Sequence, residues 1–114
     1  MQLHDAVASL LMDVEAQLRM LELWQAEAPK AAALASTEPF AMDSLRLEQW
    51  LQFIFLPRLR QLIESGQALP SASGVAPMAV EVFRDTGIAS AKLEHLLADI
   101  DRLLSDKGVG LEAP

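Results

Sequence analysis

The sequence has no cysteine and no tyrosine, few glycines and no long apolar run. Without cysteine there are no disulfides, no thiolate metal sites and no sulfur nucleophile. The five glycines are scattered, so no Gly-rich phosphate loop, P-loop or nucleophile elbow can be assembled. Only two histidines are present. His4 lies near a mobile terminus, and His95 falls on the polar side of a helix with Asp99 one turn on. A metal site needs three or four ligands, so the histidines are read as solvated. Asp99 and Asp101 do not share a helix face and make no general acid–base pair. No catalytic residue, metal or cofactor is expected.

Positive charge is scarce as well. Nine basic residues stand against sixteen acidic ones, for a net charge of −7. That sign argues against direct nucleic-acid binding, which needs clustered Lys and Arg. Arg46, Arg58 and Arg60 are the nearest thing to a basic patch, and they are too few to hold a nucleic acid unaided. The most apolar stretch, "WLQFIFLP", is closed by Arg58 and falls far short of the ~18 residues of a membrane span. The opening "MQLHDAVASLL" lacks the basic region of a signal peptide. A cytoplasmic protein with no membrane contact is expected.

What is present is helical periodicity. The 114 residues suffice for one domain with its own core. Leu3, Val7, Leu10, Leu11, Val14, Leu18, Leu21 and Trp24 share one stripe, predicting an amphipathic helix over about 3–28 that ends before Pro29. A second helix is predicted over about 47–64, with Asp43 and Ser44 available to cap it and Gly66 to close it. Its segment Trp50–Leu56 is apolar on nearly every face, so it is expected to be buried all round as a central helix. Pro57 interrupts it at a cost of about 3 kcal/mol and predicts a kink, not a break, because apolar spacing resumes at Leu59, Leu62 and Ile63. Pro77 at a first helical position opens a short helix over about 77–85. Leu93, Leu96, Leu97, Ile100, Leu103 and Leu104 define the last helix, about 88–105. No strand-period segment occurs. The fold class is therefore all-α, a single-domain bundle of about four helices with a kinked central helix, spanning 1–106. Residues 107–114 are read as a flexible tail.

Two loops separate these helices, and the first is long enough to be either functional or packed down by its own side chains. Four of the six aromatic residues (two Trp and four Phe) lie within 36–63. Trp50, Phe53 and Phe55 are read as core. Phe40, Met42, Pro70 and Met78 are loop or loop-edge anchors. If the loops meet over one end of the bundle, they form an apolar rim with Asp43 and Arg58 close by, and Asp43, Glu48 or Glu81 as the partner of Arg58. Such a rim is either a structural plug or a pocket or peptide groove. Its residues, Phe40, Met42, Asp43, Arg58, Pro70, Met78 and Glu81, are the candidate binding site.

The segment "STEPFAMDSLRLEQWLQFIFLPRL", followed by "ALPSASGVAP", resembles the small bacterial YqcC-like family. The matching positions are Ser36, Thr37, Pro39, Phe40, Asp43, Trp50, Leu51, Gln52, Pro57, Arg58, Leu69, Pro70, Pro77 and Glu81. Met78 stands where relatives can carry an aromatic residue. The resemblance covers essentially the whole chain and implies an all-α fold of about four helices. It also implies an association with tRNA pseudouridine synthesis, since the family is sometimes labelled as a synthase component. Pseudouridine synthases are larger α/β enzymes with a catalytic Asp, so the label is read as an accessory role. An acidic domain suits a basic RNA-modifying enzyme as its protein partner. Were the chain itself a catalyst, Asp43 would be the best-placed carboxylate. Capping a helix and meeting Arg58 account for Asp43 without chemistry.

Overall fold

Val7, Leu11, Val14 and Leu18 repeat at the helical period, and all four are fully buried on one face of α1 (Gln2–Met20). The computed structural model describes residues 2–70 and 74–108. Within them the regular elements are all helical: α1, α2 (Ala31–Leu34), a single 3-10 turn at Pro39–Ala41, α3 (Leu47–Trp50), a π segment (Leu51–Phe55), α4 (Leu56–Glu64), α5 (Val75–Phe83) and α6 (Ala91–Gly108). The four helices expected from periodicity are all present, with shifted ends.

The first of these helices stops well before Pro29. Leu23 N–H donates to the Leu18 carbonyl at 2.8 Å and Glu22 N–H to the Arg19 carbonyl at 3.0 Å. Glu22 takes a left-handed conformation (φ 62°). This is the Schellman closure that usually uses glycine, here without one. Trp24 thus lies beyond the helix, with the Arg19 guanidinium 4.5 Å above its ring. The departing strand of chain is held by Gln52. Its side-chain amide donates to the Gln25 carbonyl at 2.8 Å and accepts from the Gln25 N–H at 2.9 Å. Gln52 is buried, so the one polar residue of "WLQFIFLP" is a clamp with both functions satisfied.

The chain stays helical from α3 through the π segment into α4, and Leu51, Phe55 and Leu56 all have right-handed helical torsions. The Leu56 N–H reaches the Leu51 carbonyl, five residues back. Pro57 follows at once, exposed. A proline ring clashes with the carbonyl four residues earlier, and the wider π turn makes room there. The helix passes through Pro57, as its apolar spacing predicted, and its irregularity sits one turn earlier.

Burial on all sides is not observed. Leu51, Phe55, Leu56 and Leu59 are buried, but Trp50, Phe53 and Ile54 are only half-buried. Phe40 of the 35–45 loop packs edge-on against Trp50, and Leu34 and Pro70 also border that outer face, so it is covered only in part. The bundle centre is shared: α6 packs against both α1 and α5, and α4 against α1. Leu93, Leu97, Ile100 and Leu104 of α6 are fully buried.

Two further expectations are corrected. Pro77 is the third residue of α5, not its first, because α5 begins at Val75 after Gly74 (φ 63°). The opening N–H groups of α5 are taken by a side chain from elsewhere: Asp101 of α6 accepts from Ala76 at 2.8 Å and from Val75 at 3.3 Å. His4 is not at a mobile end. It is buried, and its Nε2 donates to the Gln67 carbonyl at 2.7 Å, tying α1 to the loop after α4. Its Nδ1 is buried without a partner. His95 is exposed, as expected. Of the tail read over 107–114, Lys107 and Gly108 belong to α6, and 109–114 lie outside the described residues, as do 71–73 of the second loop. Among the described residues no helix is long and apolar enough to cross a membrane.

Candidate functional site

The 35–45 loop is shaped by its own hydrogen bonds. The Ser36 hydroxyl donates to the Asp43 carboxylate and accepts from the Glu38 N–H at 3.1 Å. The Ser44 hydroxyl donates to the Ala33 carbonyl at 2.7 Å, and the Leu45 N–H to the Ala41 carbonyl at 2.8 Å. Closing so tightly forces Phe40 (φ 56°) and Ala41 (φ 51°) into left-handed conformations in succession. Such conformations cost non-glycine residues about 1–2 kcal/mol each and persist only where packing fixes them. The packing here is aromatic. Phe40 meets Trp50 edge-on with centroids 5.0 Å apart, and Trp50 stacks on Phe55 at 5.2 Å.

Held out in this way, Phe40 is a wedge between two hollows. One, of about 330 Å³, is lined by Phe40, Met42, Met78, Val82, Phe83 and Ile88, with Arg46 and Glu48 also on its wall. These two are paired with each other at 3.0 Å. The other, of about 230 Å³, is bounded by Phe40, Trp50, Ile54, Leu59, Pro70 and Arg58. A third hollow, of about 560 Å³, adjoins it, sharing Phe40, Trp50, Ile54 and Arg58 and lined also by Phe53, Pro57, Gln61 and Glu38.

The two loops therefore do meet around Phe40, but they do not bring all the candidate residues together. Met42 and Met78 share the first hollow, and Pro70 and Arg58 share the second. Asp43 is exposed, lines neither, and is engaged by Ser36. It caps no helix. The Arg46 N–H before α3 is taken instead by the Gln49 side chain at 2.8 Å. Glu81 pairs with Arg84 on the surface at 2.9 Å. Neither Asp43 nor Glu81 reaches Arg58, and Glu48 is committed to Arg46.

Arg58 is exceptional in this respect. Arg19 and Arg60 both bind Glu15, Arg46 binds Glu48, Arg84 binds Glu81 and Arg102 binds Asp99. Among the described residues Arg58 has no carboxylate partner, and it stands exposed at the edge of the aromatic hollow. Trp50 and Phe53, core residues by their helical spacing, are half-buried on this outer face, and Phe55 alone of the three is buried. The spacing Trp50, Ile54, Pro57, Arg58, Gln61 marks a single helix face ending in proline and charge, the signal that this face is the outer one.

Against known proteins, the family model DUF446, described as tRNA pseudouridine synthase C, matches residues 6–103. The chain belongs to this YqcC-like family. It is 39% identical over 77 residues to the uncharacterised protein YqcC of Escherichia coli, covering 68% of this chain and 71% of that one. The solution NMR structure of E. coli YqcC superposes with a TM-score of 0.80 at 33% identity, covering 93% of this chain and 91% of that chain. A protein of Pectobacterium carotovorum named tRNA pseudouridine synthase C is 43% identical over 70 residues. That match takes up 61% of this chain but only 19% of the Pectobacterium protein. The chain thus corresponds to about a fifth of that relative.

Proposed function

We propose that the chain is a non-enzymatic accessory domain of tRNA pseudouridine synthesis, acting in the cytoplasm by binding a synthase through the face around Phe40, Trp50 and Arg58. One observation carries this reading. A segment resembling this chain makes up only 19% of a protein named tRNA pseudouridine synthase C, leaving most of that protein to do something else. A small domain joined to a larger one within a relative is a good candidate to bind it when the two are separate chains. The negative charge of this chain favours encounter with a basic RNA-binding enzyme.

The test is co-purification. Expressed with the tRNA pseudouridine synthase of the same organism, the chain should co-elute with it in size exclusion. Phe40→Ala and Arg58→Gln, if still folded by circular dichroism, should weaken that association. Incubated alone with unmodified tRNA, the chain should form no pseudouridine above background. It should also bind tRNA weakly at physiological salt. Turnover by the chain alone would overturn the accessory role, and elution apart from the synthase would overturn the choice of partner.

The hollow lined by Met42 and Met78 favours a second reading, as a pocket for a small apolar ligand. Its volume of about 330 Å³ lies at the low end of the ~300–1,000 Å³ of small-molecule sites. Native mass spectrometry of protein purified from cells decides, since a retained adduct of constant mass would favour the ligand over the partner.

A further inference from the structure

We infer that Arg58 and the aromatic notch beside it form a receptor for an acidic peptide segment, in which a carboxylate side chain lies next to an apolar one. The inference rests on the reading that this face takes a protein partner, and it names the chemistry that the partner must present.

Three observations point the same way. The first is the unspent charge. Each of the other arginines is already bound to a carboxylate of this chain, and Arg58 among the described residues is not. No carboxylate among the described residues pairs with it, although the chain carries sixteen acidic residues. The second is the lining of the notch. Among the described residues Arg58 is the only charged one that lines it, and Trp50, Ile54 and Pro70 are the main apolar walls. A guanidinium against low-dielectric walls binds an anion more strongly than one standing in open water, and its planar fork fits a carboxylate with two parallel bonds. The third is size. About 230 Å³ takes one inserted side chain, and the adjoining hollow of about 560 Å³, which shares Phe40, Trp50, Ile54 and Arg58, leaves room for the rest of a peptide segment.

A nucleic acid would bring negative charge too, but it needs several cations along its backbone. This face offers one, and Glu38 borders the neighbouring surface. The local charge therefore selects a single carboxylate over a run of phosphates.

The test uses short peptides and requires no synthase. The full-length protein, labelled with ¹⁵N, is titrated with acetyl-Leu-Phe-Glu-amide and with the neutral acetyl-Leu-Phe-Gln-amide. The readouts are the Arg58 Nε–H and Trp50 Nε1–H resonances, with Trp24 as internal reference. The Glu peptide should shift Arg58 and Trp50 but not Trp24. The Gln peptide should bind about tenfold more weakly, the scale of one charge-assisted hydrogen bond. Arg58 has no carboxylate partner among the described residues to lose, so Arg58→Gln should fold normally and bind the two peptides equally. Equal binding of both peptides to the unaltered protein overturns the inference, as does the absence of any shift at low-millimolar peptide. A larger shift from uridine monophosphate than from the Glu peptide overturns it in favour of RNA. A failure here leaves co-elution with the synthase intact as a result. Conversely, a positive titration with no co-elution keeps the receptor and removes the synthase.

Discussion

The carboxylate of Asp101 on α6 accepts from the backbone N–H of Ala76 at 2.8 Å, so the last helix caps the beginning of the helix before it. The first N–H groups of a helix have no partner within it, and the helix dipole makes that end favourable for an anion. Asp101 meets both demands across 25 residues of chain.

Removing that cap should therefore loosen α5 as a unit. Asp101→Ala should cost about 0.5–2 kcal/mol in urea unfolding, the range for lost N-caps. Asp101→Asn should recover part of it, because the amide oxygen still accepts. Faster hydrogen exchange at Val75 and Ala76 in Asp101→Ala would locate the effect. No change in exchange there would mean that the cap is replaced by water.

Glu22 offers the opposite kind of change. It is exposed and left-handed (φ 62°) at the close of α1. A side chain there costs about 1–2 kcal/mol, while glycine gives back about 0.4–1 kcal/mol through the freer unfolded chain. Glu22→Gly should thus stabilise the protein by about 0.5–1 kcal/mol. A lower melting temperature would show that the Glu22 side chain makes a contact worth more than its strain.

The Glu15 carboxyl bridges α1 and α4, 2.6 Å from Arg60 and 3.0 Å from Arg19. The hydrogen bond from Arg60 is the largest cause holding its pKa below the ordinary carboxylate value. Burial opposes this, and Arg19 adds to it. A folded-state pKa below the unfolded one means that the stabilisation is complete above the unfolded value, about 4.3. It is lost as pH falls through the folded value. The pair is partly exposed and screened, so Arg60→Gln should cost only about 0.2–1 kcal/mol at neutral pH. The difference between Arg60→Gln and the parent should shrink in acid and in high salt. A gap independent of pH would mean that Arg60 acts through packing alone.

The two faces of the 47–64 helix should respond differently to truncation. Leu56 is fully buried, and Leu56→Ala should cost about 2–5 kcal/mol. Ile54 is half-buried beside Arg58, and Ile54→Ala should cost well below that range while weakening partner binding. Trp24 and Trp50 are both half-buried, so each should be quenched to an intermediate degree in single-tryptophan variants. Full protection of Trp50 would mean that its face is already covered in solution, as by a second copy of the chain.

Periodicity alone determined much of the architecture. Val7, Leu11, Val14 and Leu18, and likewise Leu93, Leu97, Ile100 and Leu104, had to be buried whatever they met, because an apolar stripe at helical spacing has no other stable place. The continuation of the helix through Pro57 followed from the same spacing. Other features were decided only when distant parts of the chain came together. Where α1 ends depends on Leu23 folding back over Leu18, and on Gln52 clamping Gln25 from 27 residues away. Which side of "WLQFIFLP" faces outward could not be read from a segment apolar on nearly all faces; it was set by which neighbours were there to cover it. The same holds for charge. Asp43 was taken by Ser36, Glu81 by Arg84 and Glu48 by Arg46, which left Arg58, beside Trp50, without a carboxylate partner among the described residues. Local spacing is written in the order of residues, whereas the partner of a charge is a property of pairs that only the folded chain assembles.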